Sequence, residues 1–223
     1  MPQLTMSALF VILLAQTPFV SAQDHSGLMD KTRLPVEAKG VDDFVPRGWV
    51  MEEQVPGDLN GDSIPDIALK LVQKDEGNRK LVILFVGKNG ILRKAASADK
   101  LLLCTTCGGA FYGVAEASAD VKIQKGVLIV SQEFGSNDLT DQTFRFRYKP
   151  KIEKFILIGL DIAETNRGAG ATVKKSTNFL TGFKLVTRSQ FDEHLDKEII
   201  KSTSRKMIDK KQITIEQINY EDY

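Results

Sequence analysis

From Gly48 onward, apolar residues come in short runs separated by turn chemistry, the signature of strands rather than helices. Residues 49–51 predict a short strand. Residues 67–72 (IALKLV) and 81–86 (LVILFV) predict two more, joined by the polar turn 74–78, and Asn89-Gly90 marks a second tight turn before a strand over 91–96. The 81–86 run is apolar on both faces, so its strand is expected at the centre of a sheet, covered on each side. Further strands are expected at 121–123 and 127–130, around a turn at Lys125-Gly126. Residues 142–148 (QTFRFRY) alternate cleanly, with Phe144, Phe146 and Tyr148 on one face and Arg145 and Arg147 on the other. Residues 155–160 follow, then a polar, glycine-rich loop over 163–170 and a hairpin over 172–187 turning at Thr181-Gly182. Residues 191–200 predict a short helix, 211–218 (KQITIEQI) a closing strand, and 219–223 a frayed tail. Together these predict an all-β chain with little helix, mainly an antiparallel meander, arranged as a sandwich or a partial propeller-like sheet.

The start of the chain changes the picture. Residues 8–20 (ALFVILLAQTPFV) form an apolar stretch followed by the small residues Ser21-Ala22, which predicts a signal peptide over 1–22 cleaved after Ala22. Met1 to Ser7 contains no Lys or Arg, a departure from the usual signal. The run is shorter than the ~20 residues that span a bilayer, and no cysteine follows it for lipid attachment. The expected location is therefore exported, periplasmic or secreted, with no stable membrane insertion after cleavage. Residues 23–45 are polar and mixed and predict a flexible lead-in. The β domain is then expected over 46–188, with a C-terminal extension over 189–223 that packs a last strand. Net charge is +1 with acids and bases interspersed, so no basic stripe for nucleic acid is evident.

The strongest chemical signal is the loop 58–66 (DLNGDSIPD). It places side-chain oxygens at positions one, three, five and nine, in Asp58, Asn60, Asp62 and Asp66. The carbonyl of Ile64 can complete the set. Three carboxylates and further neutral oxygens suit Ca²⁺, which takes six to eight oxygen ligands, better than Mg²⁺, which keeps its waters. Asn, Asp and Gly also populate plain polar turns, which is the competing account. The loop is not an EF-hand, since position six is Ser63 and position twelve is Leu69.

Gly57 to Asp62, with Pro65-Asp66-Ile67-Ala68, resembles the calcium loop of FG-GAP or VCBS repeats, found in integrin-α-like propellers and exported bacterial proteins. The resemblance implies a loop joining two antiparallel strands, stiffened by an ion that takes no part in catalysis. The loop occurs once here, so a full propeller is not implied. The wider pattern resembles a group of uncharacterised exported bacterial proteins. Its marks are Phe44-Val45-Pro46 with Gly48-Trp49, Leu103-Cys104 with Cys107-Gly108-Gly109, residues 144–148 and 158–161, and Ser176-Thr177-Asn178 with Leu180-Thr181-Gly182. That resemblance carries no activity.

Cys104 and Cys107 are the two cysteines, spaced C-x-x-C. In an exported chain this predicts a local disulfide, with free thiols, a metal site or redox exchange as alternatives. Gly108-Gly109 is a poor helix start for a redox motif, and His25 and His194 are the only histidines available to complete a zinc site. Asn137, Asp138 and Asp141 predict a solvated hairpin tip. The expected function is a non-catalytic exported module holding one Ca²⁺, with an envelope protein or glycan as partner. Two alternatives stand beside it, a hydrolase working through loop carboxylates and a thiol–disulfide redox protein.

Overall fold

In a computed structural model, residues 33–110 and 115–223 are described. The expected signal peptide and His25 lie outside them. Among the described residues, twelve strands form two antiparallel sheets, neither closed into a barrel. The five-stranded sheet has the order β1-β5-β4-β3-β2, from β1 (Glu37–Ala38), β2 (Trp49–Gly57), β3 (Asp66–Gln73), β4 (Arg79–Val86) and β5 (Leu92–Ala98). The seven-stranded sheet is an unbroken meander. It runs through β6 (Ala119–Gln124), β7 (Val127–Gly135), β8 (Asp138–Lys149), β9 (Lys154–Asn166), β10 (Ala171–Asn178), β11 (Phe183–Asp192) and β12 (Lys197–Met207).

The apolar pattern explains how the sheets stack. Leu81, Ile83 and Phe85 of β4 point toward Leu128, Val130, Phe144, Phe146 and Leu160 of the second sheet and make the main core. Val82 and Leu84 point the other way, joining Leu69, Leu71 and Leu92 in a second core. The strand predicted to lie at the centre therefore does so, buried on both faces. Phe144 and Phe146 are buried and Arg147 exposed, as the alternation of 142–148 requires. At the β6–β7 turn Lys125 and Gly126 both take positive φ, 50° and 71°, the pairing a two-residue hairpin demands.

Several stretches differ from the sequence reading. Residues 34–45 lie within the predicted lead-in, yet Phe44 is fully buried in the second core, with Leu34, Val41 and Val45 packed around it. The lower face of β3 and β4 is apolar and needs a cover, and this segment supplies it. Residues 191–200 are the end of β11, a turn and the start of β12, not a helix. Asp192 Oδ1 accepts from the backbone N–H of His194 and Leu195, an Asx turn that holds the chain in a hairpin. The predicted closing strand over 211–218 makes one bridge, Ile156 to Thr214, and then a turn of 3₁₀ helix. Ile215 and Ile218 are buried between the sheets, so the apolar alternation fills a core edge without pairing as a strand. The tail beyond them is anchored. Gln142 Nε2 donates to the carbonyls of Tyr220 and Tyr223, and the Tyr223 ring meets Phe144 edge-on at 5.7 Å.

Candidate cation loop

Residues 58–65 connect β2 to β3. Gly57 faces Asp66 in the last register pair, so the loop begins and ends at one point of the ladder. Pro56 sits in β2, the edge strand, where a missing donor does no harm. Gly61 and Ser63 take positive φ, 84° and 67°. Leu59 is buried in the main core and pins the loop from beneath, while Ile64 is half-buried.

The loop oxygens hold the backbone in successive turns. Asp58 accepts from the N–H of Gly61 (2.7 Å) and of Ser63 (2.9 Å). Asn60 Oδ1 accepts from the N–H of Asp62, and Asp62 Oδ1 from that of Ile64. The Asn60 amide reaches Asp62 Oδ2 at 3.1 Å, so positions three and five lie side by side on the turn. Asp66 is placed differently. Its carboxylate is fully buried and accepts from the backbone N–H of Leu59 (2.9 Å), Asn60 (3.3 Å) and Val86 (3.1 Å). It therefore ties the loop both to its own start and to β4. Burial pushes the Asp66 carboxyl above the ordinary range, the negative charge of Asp62 adds to this, and the three N–H groups oppose it.

Among the described residues, no three His, Cys, Asp or Glu side chains lie close enough to form a metal site by themselves. A cation at this loop would also draw on the Asn60 amide oxygen and the Ile64 carbonyl, neither of which belongs to those residue types. A carboxylate has about four acceptor positions. Asp58 spends two of them on N–H groups, and Asp66 three. Asp58, Asn60 and Asp62 thus retain capacity on the outer side, while Asp66 acts mainly as the brace. Beside the loop lies a cleft of about 270 Å³ lined by Asn60, Asp62, Glu37, Phe85, Asn89 and Arg93.

Cys104 and Cys107 are joined as a disulfide with Cα atoms 5.1 Å apart. The surrounding loop is also held by backbone bonds, from Thr105 N–H to the Gly77 carbonyl and from Gly135 N–H to that of Gly108. Asn137 and Asp138 bind the neighbouring 166–168 turn through their side chains. Asp141 stands opposite Glu133 on the open sheet face; partial burial and the Asp141 carboxylate push the Glu133 carboxyl up. Arg145 is paired with Asp161 at 2.6 Å. His194 is exposed in the β11–β12 turn.

A buried ionic network at the other end of β3 and β4 was not anticipated. Arg79 is 3% exposed, forms a two-pronged pair with Glu52 (both contacts 2.8 Å), and donates to the carbonyls of Leu103 and Ala117. Lys70 meets Glu53 at 3.1 Å and the Ala119 carbonyl at 3.0 Å. The network fastens the disulfide-bearing crossover to the first sheet. Its one sequence signal is Lys70, a charge set inside the apolar run 67–72.

Comparison of the chain with protein-family models, curated proteins and solved structures gives no match.

Proposed function

We propose that the 58–66 loop binds one Ca²⁺, and that the protein is an exported, non-catalytic β-sandwich whose ion stiffens the β2–β3 turn. The observation that carries this reading is electrostatic. Asp58, Asp62 and Asp66 share one nine-residue turn, and among the described residues none of them is ion-paired. A solvated turn needs no such concentration of negative charge, whereas a hard divalent cation does. Asp58, Asn60 and Asp62 would supply side-chain oxygens and Ile64 its carbonyl, with Asp66 bracing the loop and offering its remaining acceptor position. The ion would supply charge neutralisation and a rigid turn. The disulfide supports an oxidising compartment. A rigid turn beside the Arg93 cleft favours recognition of an envelope protein or glycan at that end of the first sheet.

The test is a thermal melt in excess Ca²⁺ and in EDTA. Ca²⁺ at a hundred times its Kd stabilises by about 2.7 kcal/mol, which raises Tm by roughly 5–10 °C in a domain of this size. Asp62→Ala should melt as the EDTA-treated wild type does and ignore Ca²⁺. Identical wild-type melting under both conditions overturns the reading.

A further inference from the structure

The hairpin end where β11 leaves its turn and β12 finishes gathers charge that is scattered in the sequence. Residues 180–184 and 205–211 carry five cations, Lys184, Arg205, Lys206, Lys210 and Lys211, and one carboxylate, Asp209. The ladder brings them to one end of the hairpin, with Lys184 and Lys206 paired on one sheet face, Phe183 and Met207 and then Leu185 and Arg205 paired on the other, and Ile208 N–H donating to the Gly182 carbonyl. The Lys210 side chain lies over Gly182, where a Cβ would fall 3.1 Å from Lys210 Cε. None of the five cations is ion-paired among the described residues. Lys184 and Lys206 are direct cross-strand neighbours, and like charges so placed repel.

The same end exposes apolar side chains. Leu180, in the β10–β11 turn, is 56% exposed and Met207 76%. Phe183 is half-buried with the Arg205 guanidinium 3.7 Å above its ring. We infer that this end is a docking surface for an anionic lipid membrane. An anion in water would satisfy the lysines and leave Leu180 and Met207 wet. A single-stranded nucleic acid would want exposed aromatic platforms, and an aliphatic pair offers none. An anionic lipid surface answers both features, with aliphatic tips entering the headgroup boundary and cations meeting lipid phosphates. The contact is peripheral and sits on the seven-stranded sheet, whereas the cation loop belongs to the five-stranded one, so it is independent of the calcium reading.

The test is cosedimentation of the protein with vesicles, in EDTA so that Ca²⁺ cannot bridge lipid and protein. One set is phosphatidylcholine alone and the other contains about one-third phosphatidylglycerol. The readout is the ratio of partitioning onto anionic over neutral vesicles, compared between chains of identical length. Each cation near an anionic surface is worth about fivefold in partitioning. The double variant Lys184→Glu/Lys206→Glu should therefore lower the ratio at least ~10-fold. Lys210→Glu/Lys211→Glu, outside the strands and so without cost to the ladder, should lower it similarly. Leu180→Asp should weaken anionic binding several-fold with the melting temperature unchanged, and raised salt should abolish the preference. A wild-type ratio near one overturns the proposal, as does a ratio that both charge-reversed variants retain. Binding of an acidic peptide or of RNA without vesicle binding also overturns it.

Discussion

β4 and β12 are both strands, yet they occupy opposite physical situations. β4 has an apolar layer on each face, with Leu81, Ile83 and Phe85 on one side and Val82 and Leu84 on the other, all buried. β12 is an edge strand of eleven residues in which only Ile199 is even half-buried, and Ile200 is 64% exposed. β4 pairs with β3 and β5, whereas β12 pairs with β11 alone. The layers above and below differ as well. β4 is held by packing and its sequence needs no charge between Lys80 and Lys88. β12 carries Lys197, Lys201, Arg205 and Lys206, the charges that keep an open edge from pairing with another chain. The body of the sandwich thus supplies stability, while the β10–β12 extension supplies surface.

The sharpest way to break this comparison is to truncate a side chain in each region. Phe144→Ala empties a fully buried site in the main core and should cost about 3–5 kcal/mol in chemical denaturation. Ile200→Ala on β12 should stay within about 0.5 kcal/mol. A comparable loss at Ile200 would mean that an unseen layer covers β12.

Asp66→Ala should come next. It leaves the N–H groups of Leu59, Asn60 and Val86 without their acceptor. At about 1–3 kcal/mol for each buried unsatisfied group, roughly 3 kcal/mol or more is expected, whether or not Ca²⁺ is present. Asp62→Ala, at the exposed side of the same loop, should cost little in EDTA. That contrast separates the brace from the candidate ligands.

Glu52→Gln tests the buried network. Burial pushes the Glu52 carboxyl up, but its bonds to Arg79 and the charges of Arg79 and Lys70 outweigh that and hold it below the ordinary carboxylate range. A carboxylate with a lowered folded pKa contributes stability that is present above its unfolded pKa and lost as pH falls through the folded one. Asp66 is shifted the other way, so its contribution weakens as pH rises from 3.8 toward its folded pKa. Glu52→Gln is expected to cost roughly 3 kcal/mol at neutral pH, because Arg79 stays buried without its partner. Acid titration of stability should show the wild type converging on the variant as pH falls through the lowered folded pKa of Glu52.

Much of this was legible in the chain. The 81–86 run and the clean alternation at 142–148 each have one physical solution, a doubly covered strand and a half-buried one, and both form. The oxygen spacing of 58–66 located the loop, but not the division of labour within it. Nothing in that spacing distinguishes Asp66, which turns inward to three N–H groups, from Asp58, which turns to the loop. Residues 191–200 misled because Phe191, Leu195 and Ile199 recur at helical spacing, while pairing of β11 with β12, Phe191 with Glu198 and Asp192 with Lys197, decides the outcome across the sheet. The Glu52–Arg79 pair spans 27 positions, and its Lys70 neighbour lies on another strand, so no local pattern announces it. The lysine cluster at the hairpin end is hidden for the same reason. Lys184 and Lys206 become neighbours only through the β11–β12 register.

A divalent cation that completes the β2–β3 turn, as proposed, must perturb the loop's amides, and NMR during a Ca²⁺ titration reads them one by one. Saturable shifts are expected at the N–H groups of Gly61, Ser63 and Ile64, whose acceptors are the candidate ligands, with a smaller shift at Val86 through Asp66. The strands of the second sheet should remain unmoved. Spectra in which those loop amides stay still, or in which weak shifts scatter over every exposed carboxylate, would contradict the proposal.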